Sequence, residues 1–479
     1  SPGETDENGV TTSPGSYDVQ YINSRFRQCP TIFQLASEAG MRVCAMGFPT
    51  TYPPEPVNGI MISGFDSPLA VSADMSFCYP PEIWDELKDK VNPYTLAGIQ
   101  ELNTGGHWHR KAAPRILNTI QQRTDIADYL LNKESWDLFA VVFSESDTAA
   151  HHFWAAHDER SPRNSAFKSQ YGDELKRFLK TVYIELDRAV GRLIKEADHV
   201  MIVSDHGSGG TGSTRLSINR ALHKHGYYSF REKDESNSPL DLVYRVLPVK
   251  KLARNLPAGL GQWLFRKGPG RVTRELESRG RLGNADIGKC QAFSDELNYF
   301  PSIWINDGRF PQGRSINSRR KKELCEAIRT SLKAEVNPET GKPIFQEIHL
   351  RDEIYQGPML HVIPDIILEP SLHEGYSYAI IKSLDPGPVL EELDEKEILG
   401  RKGGSMNGSH RQFGVFFGSG SFGSETLISD ESVAKIWPDI LLAGRVLKNH
   451  VLKLQETNLY VSNLQKYNIP EKKVSKETS

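Results

Sequence analysis

Two short apolar runs, residues 136–143 (WDLFAVVF) and 199–203 (HVMIV), flank a long amphipathic stretch. Within that stretch Leu175, Phe178, Leu179, Val182, Leu186, Val190 and Leu193 recur at spacings of three and four. Short apolar runs of this kind are strands buried on both faces, and the three-four spacing lines one face of a helix. Strand, helix, strand is the signature of a right-handed βαβ unit in a parallel sheet. A polar helix is predicted over 120–131, just ahead of the first strand. A further helix over 31–39, ended by Gly40, is followed by a strand over 42–48, which repeats the alternation. Apolar runs at 302–306, 364–369 and 413–422 add strands later in the chain. The predicted class is α/β: a mostly parallel central sheet with helices on both faces.

The chain has 479 residues, 38% hydrophobic and 25% charged, with a formal net charge of -3. That balance builds a globular core, and the charge argues against a nucleic-acid partner. Residues 1–16 read as a linker or loop, 17–230 with 282–454 as one α/β domain, and 455–479 as a polar tail. Between 231 and 281 twelve Lys/Arg stand against six Asp/Glu among interleaved Leu and aromatic residues. This segment reads as a basic helical cap inserted beside the sheet; a membrane-docking surface is the less favoured reading. Cys29, Cys44, Cys78, Cys290 and Cys325 are odd in number and widely spaced. They form no disulfide framework and point to a reducing compartment, cytoplasmic rather than secreted.

Chemistry-bearing residues gather where strands end. Asp147 and His151, spaced D-x3-H, follow the first βαβ strand, and Asp205 and His206 follow the second. His410 lies in a polar loop ahead of the run at 413–422. Ligands collect outside the carboxyl ends of parallel strands, and carboxylate with imidazole suits Zn²⁺ and similar divalent ions.

The segments VVFSESDTAAHHFW, VMIVSDHGSGG and NGSHR resemble the three C-terminal metal-ligand motifs of the alkaline phosphatase superfamily. The nearest branch is that of the type I phosphodiesterases and nucleotide pyrophosphatases, and residues 51–68 and 302–313 are similar to segments of it. The resemblance implies a metal-dependent phosphoric ester hydrolase with two adjacent divalent ions, zinc first and manganese as the alternative. It places Asp147, His151 and His410 on one ion and Asp205 and His206 on the other. The implied substrate is a small phosphate ester, nucleotide-like or simpler. The implied nucleophile, a Thr or Ser, and an Asp that completes the second ion's site are expected upstream of this chain, ahead of the stretch that matches from Tyr17, so negligible turnover is expected of the chain as given. Thr11, Thr12 and Ser13 do not fit that motif and are not assigned, so no catalytic residue is named in this chain.

Other readings compete. Gly207, Gly209 and Gly212 spell G-x-G-x-x-G between a strand and a predicted helix, the context of a dinucleotide-dependent oxidoreductase. Asp205 and His206 at that turn argue against it, since a carboxylate there repels a pyrophosphate. A catalytically degenerate metal-binding scaffold of the same fold is the non-enzyme alternative. Cys78 followed by Tyr-Pro-Pro-Glu is similar to a sulfatase signature but lacks its arginine, and reads as a core or loop cysteine. His107 and His109 read as a solvated loop rather than a metal pair. His152 and His157 read as packing or supporting residues, and Asn407 as a glycosylation acceptor to be discounted.

Overall fold

The computed structural model describes residues 23–64, 75–90, 108–195, 197–231, 285–297, 300–310, 313–400 and 406–419. The linker at 1–16, almost all of the basic insert and the tail lie outside these residues.

Alternation along β1 (Val43–Phe48) explains the first layer. Cys44 and Met46 face one side, and Val43 and Ala45 face the other, so each strand face has its own apolar cover. On the first side lie Ile126, Ala127 and Leu130 of α3 (Trp108–Lys133), Ile83 and Leu87 of α2 (Ile83–Lys90), and Leu193 of α6 (Phe178–Leu193). On the second side Phe33 and Ala36 of α1 (Ile32–Glu38) close the layer. Helix α1 opens with a capping box from Thr31 and Gln34, and Gly40 (φ +84°) turns the chain back toward β1. β1 pairs in parallel with β2 (Gly59–Ser63) and with β4 (Leu138–Val141), and β3 (Cys78–Tyr79) joins β2 antiparallel. Helices therefore cover both faces of this sheet, as expected.

The expectation of one mostly parallel sheet needs correction. β5 (Val200–Val203) pairs antiparallel with β14 (Phe416–Ser419) and, among the described residues, not with β4. Between β4 and β5 run α4 (Glu145–His157), α5 (Asn164–Tyr171) and α6, not a single helix. β6 (Gly207–Leu216) carries β11 (Ser377–Ile380) in parallel, with β12 (Leu390–Glu392) and β13 (Gly408–Arg411) antiparallel. A last antiparallel sheet runs β7 (Ala292–Phe293), β8 (Ser302–Ile305), β10 (Ile366–Pro370), β9 (Phe345–Leu350). Its core joins α7 (Ile218–Lys224) and α8 (Ser318–Lys333). The fold is mixed α/β. Apolar runs marked the strands, but the run alone carries no direction, and late antiparallel partners took places a parallel strand was expected to fill.

The three-glycine motif is not a phosphate turn. Gly207, Gly209 and Gly212 all lie inside the extended β6, and α7 begins only at Ile218. No helix N-terminus follows the motif directly, so the dinucleotide geometry is missing. Cys78 is a buried free cysteine paired across to Ile62, and all five cysteines are free.

His109 is also corrected. It lies on α3, fully buried where α3, α4 and α5 meet, with Nδ1 2.9 Å from the Tyr171 hydroxyl and its ring against Phe153 and Phe167. Burial first, then the neighbouring His152, pushes its pKa down to about 3. Between that value and the ordinary one near 6.5 the unfolded chain binds a proton that the folded chain refuses. The group's stabilisation is therefore complete above pH 6.5 and is lost as pH falls, at roughly 1.4 kcal/mol per pH unit. In His109→Gln, acid denaturation followed by circular dichroism should show about one proton fewer taken up on unfolding between pH 4 and 6. An unchanged pH slope would remove His109 as a source of acid lability.

Helix α4 starts directly after β4, and its first turn is fixed by a buried ion pair. Arg123 of α3 meets Glu145 at 3.1 Å, the side chains 4% and 5% exposed. Gly47 (φ +82°) ends β1 beside them, where a Cβ would come within 2.8 Å of the Arg123 guanidinium. Removing one partner leaves a buried charge, so Arg123→Ala should cost about 3–5 kcal/mol in denaturant melts. The double change Arg123→Met with Glu145→Leu should recover most of that loss.

Candidate metal centre

The D-x3-H spacing acts through α4. Asp147 stands in its first turn and His151 one turn later, so both project from the same face. Strand β13 then lies antiparallel to β6, with His410 opposite Ser208. This register brings His410 beside His206, which immediately precedes β6; their rings stack with centroids 3.5 Å apart. Chain segments more than 200 residues apart thus meet at one spot.

Asp147 Oδ1 is the centre of the group. It lies 3.1 Å from His151 Nε2, 3.7 Å from His410 Nε2 and 3.8 Å from His206 Nε2. His151 Nε2 and His410 Nε2 are 3.1 Å apart. Ligand atoms of Asp147, His206 and His410 all fall within 4.8 Å of one another. Asp205 Oδ1 lies 3.6 Å from His206 Nε2 on an 86% exposed side chain. All five residues singled out in the sequence meet here, linked through Asp147 and His206. The distances do not trace the division into Asp147, His151, His410 and Asp205, His206, because His206 faces Asp147 and His410 as closely as it faces Asp205.

The tautomers follow from the partners. His151 Nδ1–H donates to Gly408 O at 2.8 Å, and His206 Nδ1–H donates to Gly207 O at 2.9 Å. A carbonyl only accepts, so each Nδ1 carries a proton, and in the neutral ring each Nε2 turns a lone pair toward Asp147 Oδ1. Oδ1 is shielded from solvent. Neutral rings together with an ionised Asp147 make a donor set for a cation. Donors around a tetrahedral zinc, with bonds of about 2.0–2.2 Å, stand roughly 3.4 Å apart. The observed separations bracket that value, so the residues fit a divalent ion.

The charges agree. Burial first, then repulsion from His206 and His151, pushes the His410 pKa down to about 4, so it is neutral at neutral pH. Burial would raise the Asp147 carboxyl, but His151 first, then His410 and His206, brings it below the ordinary carboxylate range. A neutral His410 and an ionised Asp147 are the protonation states that metal ligation requires of these two groups.

Sequence reasoning missed two neighbours. Tyr183, on α6, is half exposed, and its hydroxyl pKa is raised by burial and then by the charge of Asp147, which places it near the centre. Only its helical phase relative to Leu179 and Val182 could have pointed to it. Asn407, noted only as a glycosylation acceptor, is fully buried against α4.

Comparison with known proteins gives a consistent class. The family model for type I phosphodiesterase / nucleotide pyrophosphatase matches residues 5–404. A phosphonoacetate hydrolase from Sinorhizobium meliloti 1021, solved in complex with phosphonoacetate, is similar over 87% of this chain and 72% of its own, at 13% identity and a TM-score of 0.34. That overlap is too loose to inform the site. No curated protein matches the chain. The family match spans most of the chain, and the protein belongs to the type I phosphodiesterase / nucleotide pyrophosphatase family.

Proposed function

We propose that the protein hydrolyses small phosphate esters, nucleotide-like diesters foremost, using two divalent ions held by Asp147, His151, Asp205, His206 and His410. Zinc suits the mixed carboxylate and imidazole set best, with manganese the alternative. One observation carries the reading. Asp147 Oδ1 is shielded from water while Nε2 of His151 and of His206, whose Nδ1 protons go to carbonyls, face it, an arrangement that suits a cation. When bound, such ions supply Lewis-acid stabilisation of charge on the phosphoryl oxygens and favour ionisation of an attacking hydroxyl.

The chain's own share is orientation. The Gly408 and Gly207 carbonyls hold His151 and His206 in the tautomer that offers Nε2. The first turn of α4 presents Asp147 where the helix dipole steadies a negative charge. Asp205, beside His206 and open to solvent, stands where substrate would enter. No residue is assigned as the attacking nucleophile.

Metal binding and turnover are therefore read separately. Metal-free protein titrated with Zn²⁺ by calorimetry should bind it, and Asp147→Ala should weaken binding by about tenfold or more. Affinity should fall as pH drops toward the His410 value near 4, where protons compete for that ligand. Any hydrolysis of bis(p-nitrophenyl) phosphate should need added metal, stop with EDTA, and drop by about 100-fold or more in His410→Ala. Absence of Zn²⁺ binding would sink the reading. Binding without turnover would leave a metal-binding scaffold.

A further inference from the structure

Asn407 does more than precede the ligand strand. In a regular α-helix the Ala155 N–H donates to His151 O, four residues back. Here Ala155 N–H donates to Asn407 Oδ1 at 2.8 Å, while His151 O accepts from Asn407 N–H at 2.8 Å. One residue of the incoming chain thus engages both ends of a single rung of α4, at the turn that carries His151. Asn407 Nδ2 also donates to His152 O at 2.7 Å, and Asn407 O accepts from Thr211 N–H of β6 at 2.9 Å.

The neighbours allow no other seating. A Cβ at Gly408 would lie 2.0 Å from Ala150 O, so the backbone there runs directly against the helix. The Gly408 carbonyl is the one that fixes the His151 tautomer. Ahead of it, the fully buried Arg163 donates from Nη1 to Met406 O at 3.0 Å and from Nε to Gly212 O at 2.7 Å. Residues 406–408 are thereby fastened to α4, to β6 and to the residue that precedes α5.

We infer that Asn407 is a positioning residue: its amide locks α4, with Asp147 and His151, to β13, with His410, in the register that makes them one ligand set. Serine has one short hydroxyl in place of the amide, so it cannot serve Ala155 N–H and His152 O together. Aspartate loses the donor to His152 O and buries a charge. The role rests on the metal reading above, since it concerns the geometry of those ligands.

Co²⁺ tests it, because its visible absorption reports ligand geometry independently of turnover. Wild type, Asn407→Ala and Asn407→Ser are titrated with Co²⁺ well below their melting temperatures, and each metal-free melt is recorded. Ile328→Ala, in the distant core between α8 and the antiparallel sheet, serves as a matched destabilised control. The expected result is a Co²⁺ affinity about 10–100-fold weaker, with a shifted absorption band, in both Asn407 variants. Ile328→Ala should melt earlier yet bind Co²⁺ as wild type does. Asn407 variants that stay folded with wild-type affinity and spectrum would overturn the positioning role. A wild type that binds no Co²⁺ would overturn the metal reading and this role with it, and the two failures are thus distinct. Should Asn407→Ala fail to fold, Asn407→Ser decides between the same outcomes alone.

Discussion

The shielded oxygen of Asp147 is the constraint around which the site is arranged. Three imidazole nitrogens lie within 3.8 Å of it, and two of them belong to rings whose protons are committed to backbone carbonyls. With neutral rings such an array sets lone pairs against an oxygen shielded from water, which is costly. Proteins keep arrangements like this where a bound group repays the strain. The neighbouring structure can be understood as what keeps these atoms from moving apart.

That holding is distributed over elements far apart in sequence. The buried Arg123–Glu145 pair fixes where α4 begins, the pairing of β13 with β6 sets His410 beside His206, and residues 406–408 bind β13 to α4. Ala150 and Ala155 leave α4 narrow enough for residues 407–408 to lie against it, while Phe153 packs against Phe178. Close approach requires small residues, and the glycine at 408 is the limiting case. Ligand spacing in the sequence says nothing of this packing.

Much of the site was legible because local periodicity translates directly into geometry. Asp147 and His151 are one helical turn apart, and any α-helix places them together. His410 carried no such spacing, only a polar loop ahead of an apolar run and the family resemblance; its place follows from a strand pairing across about 200 residues. The glycines at 207, 209 and 212 offered a rival reading because the sequence pattern is the same whether a glycine serves a tight turn or lets another chain approach. Here Gly207 makes room for the carbonyl of Phe413, and Gly209 for the guanidinium of Arg411. His109 was hidden by polar neighbours, although Trp108 beside it and the heptad-like spacing to Ile116 and Ile120 mark that side of α3 as buried. The direction of β5 was not readable, since an apolar run fits either hand of pairing.

The most direct test of a cation at Asp147 is anomalous diffraction at the zinc edge from crystals soaked in Zn²⁺. The expected result is a peak about 2.0–2.2 Å from Asp147 Oδ1 and from imidazole nitrogens of the His151, His206 and His410 group. Anomalous peaks found only elsewhere on the protein, with none among these residues, would contradict it.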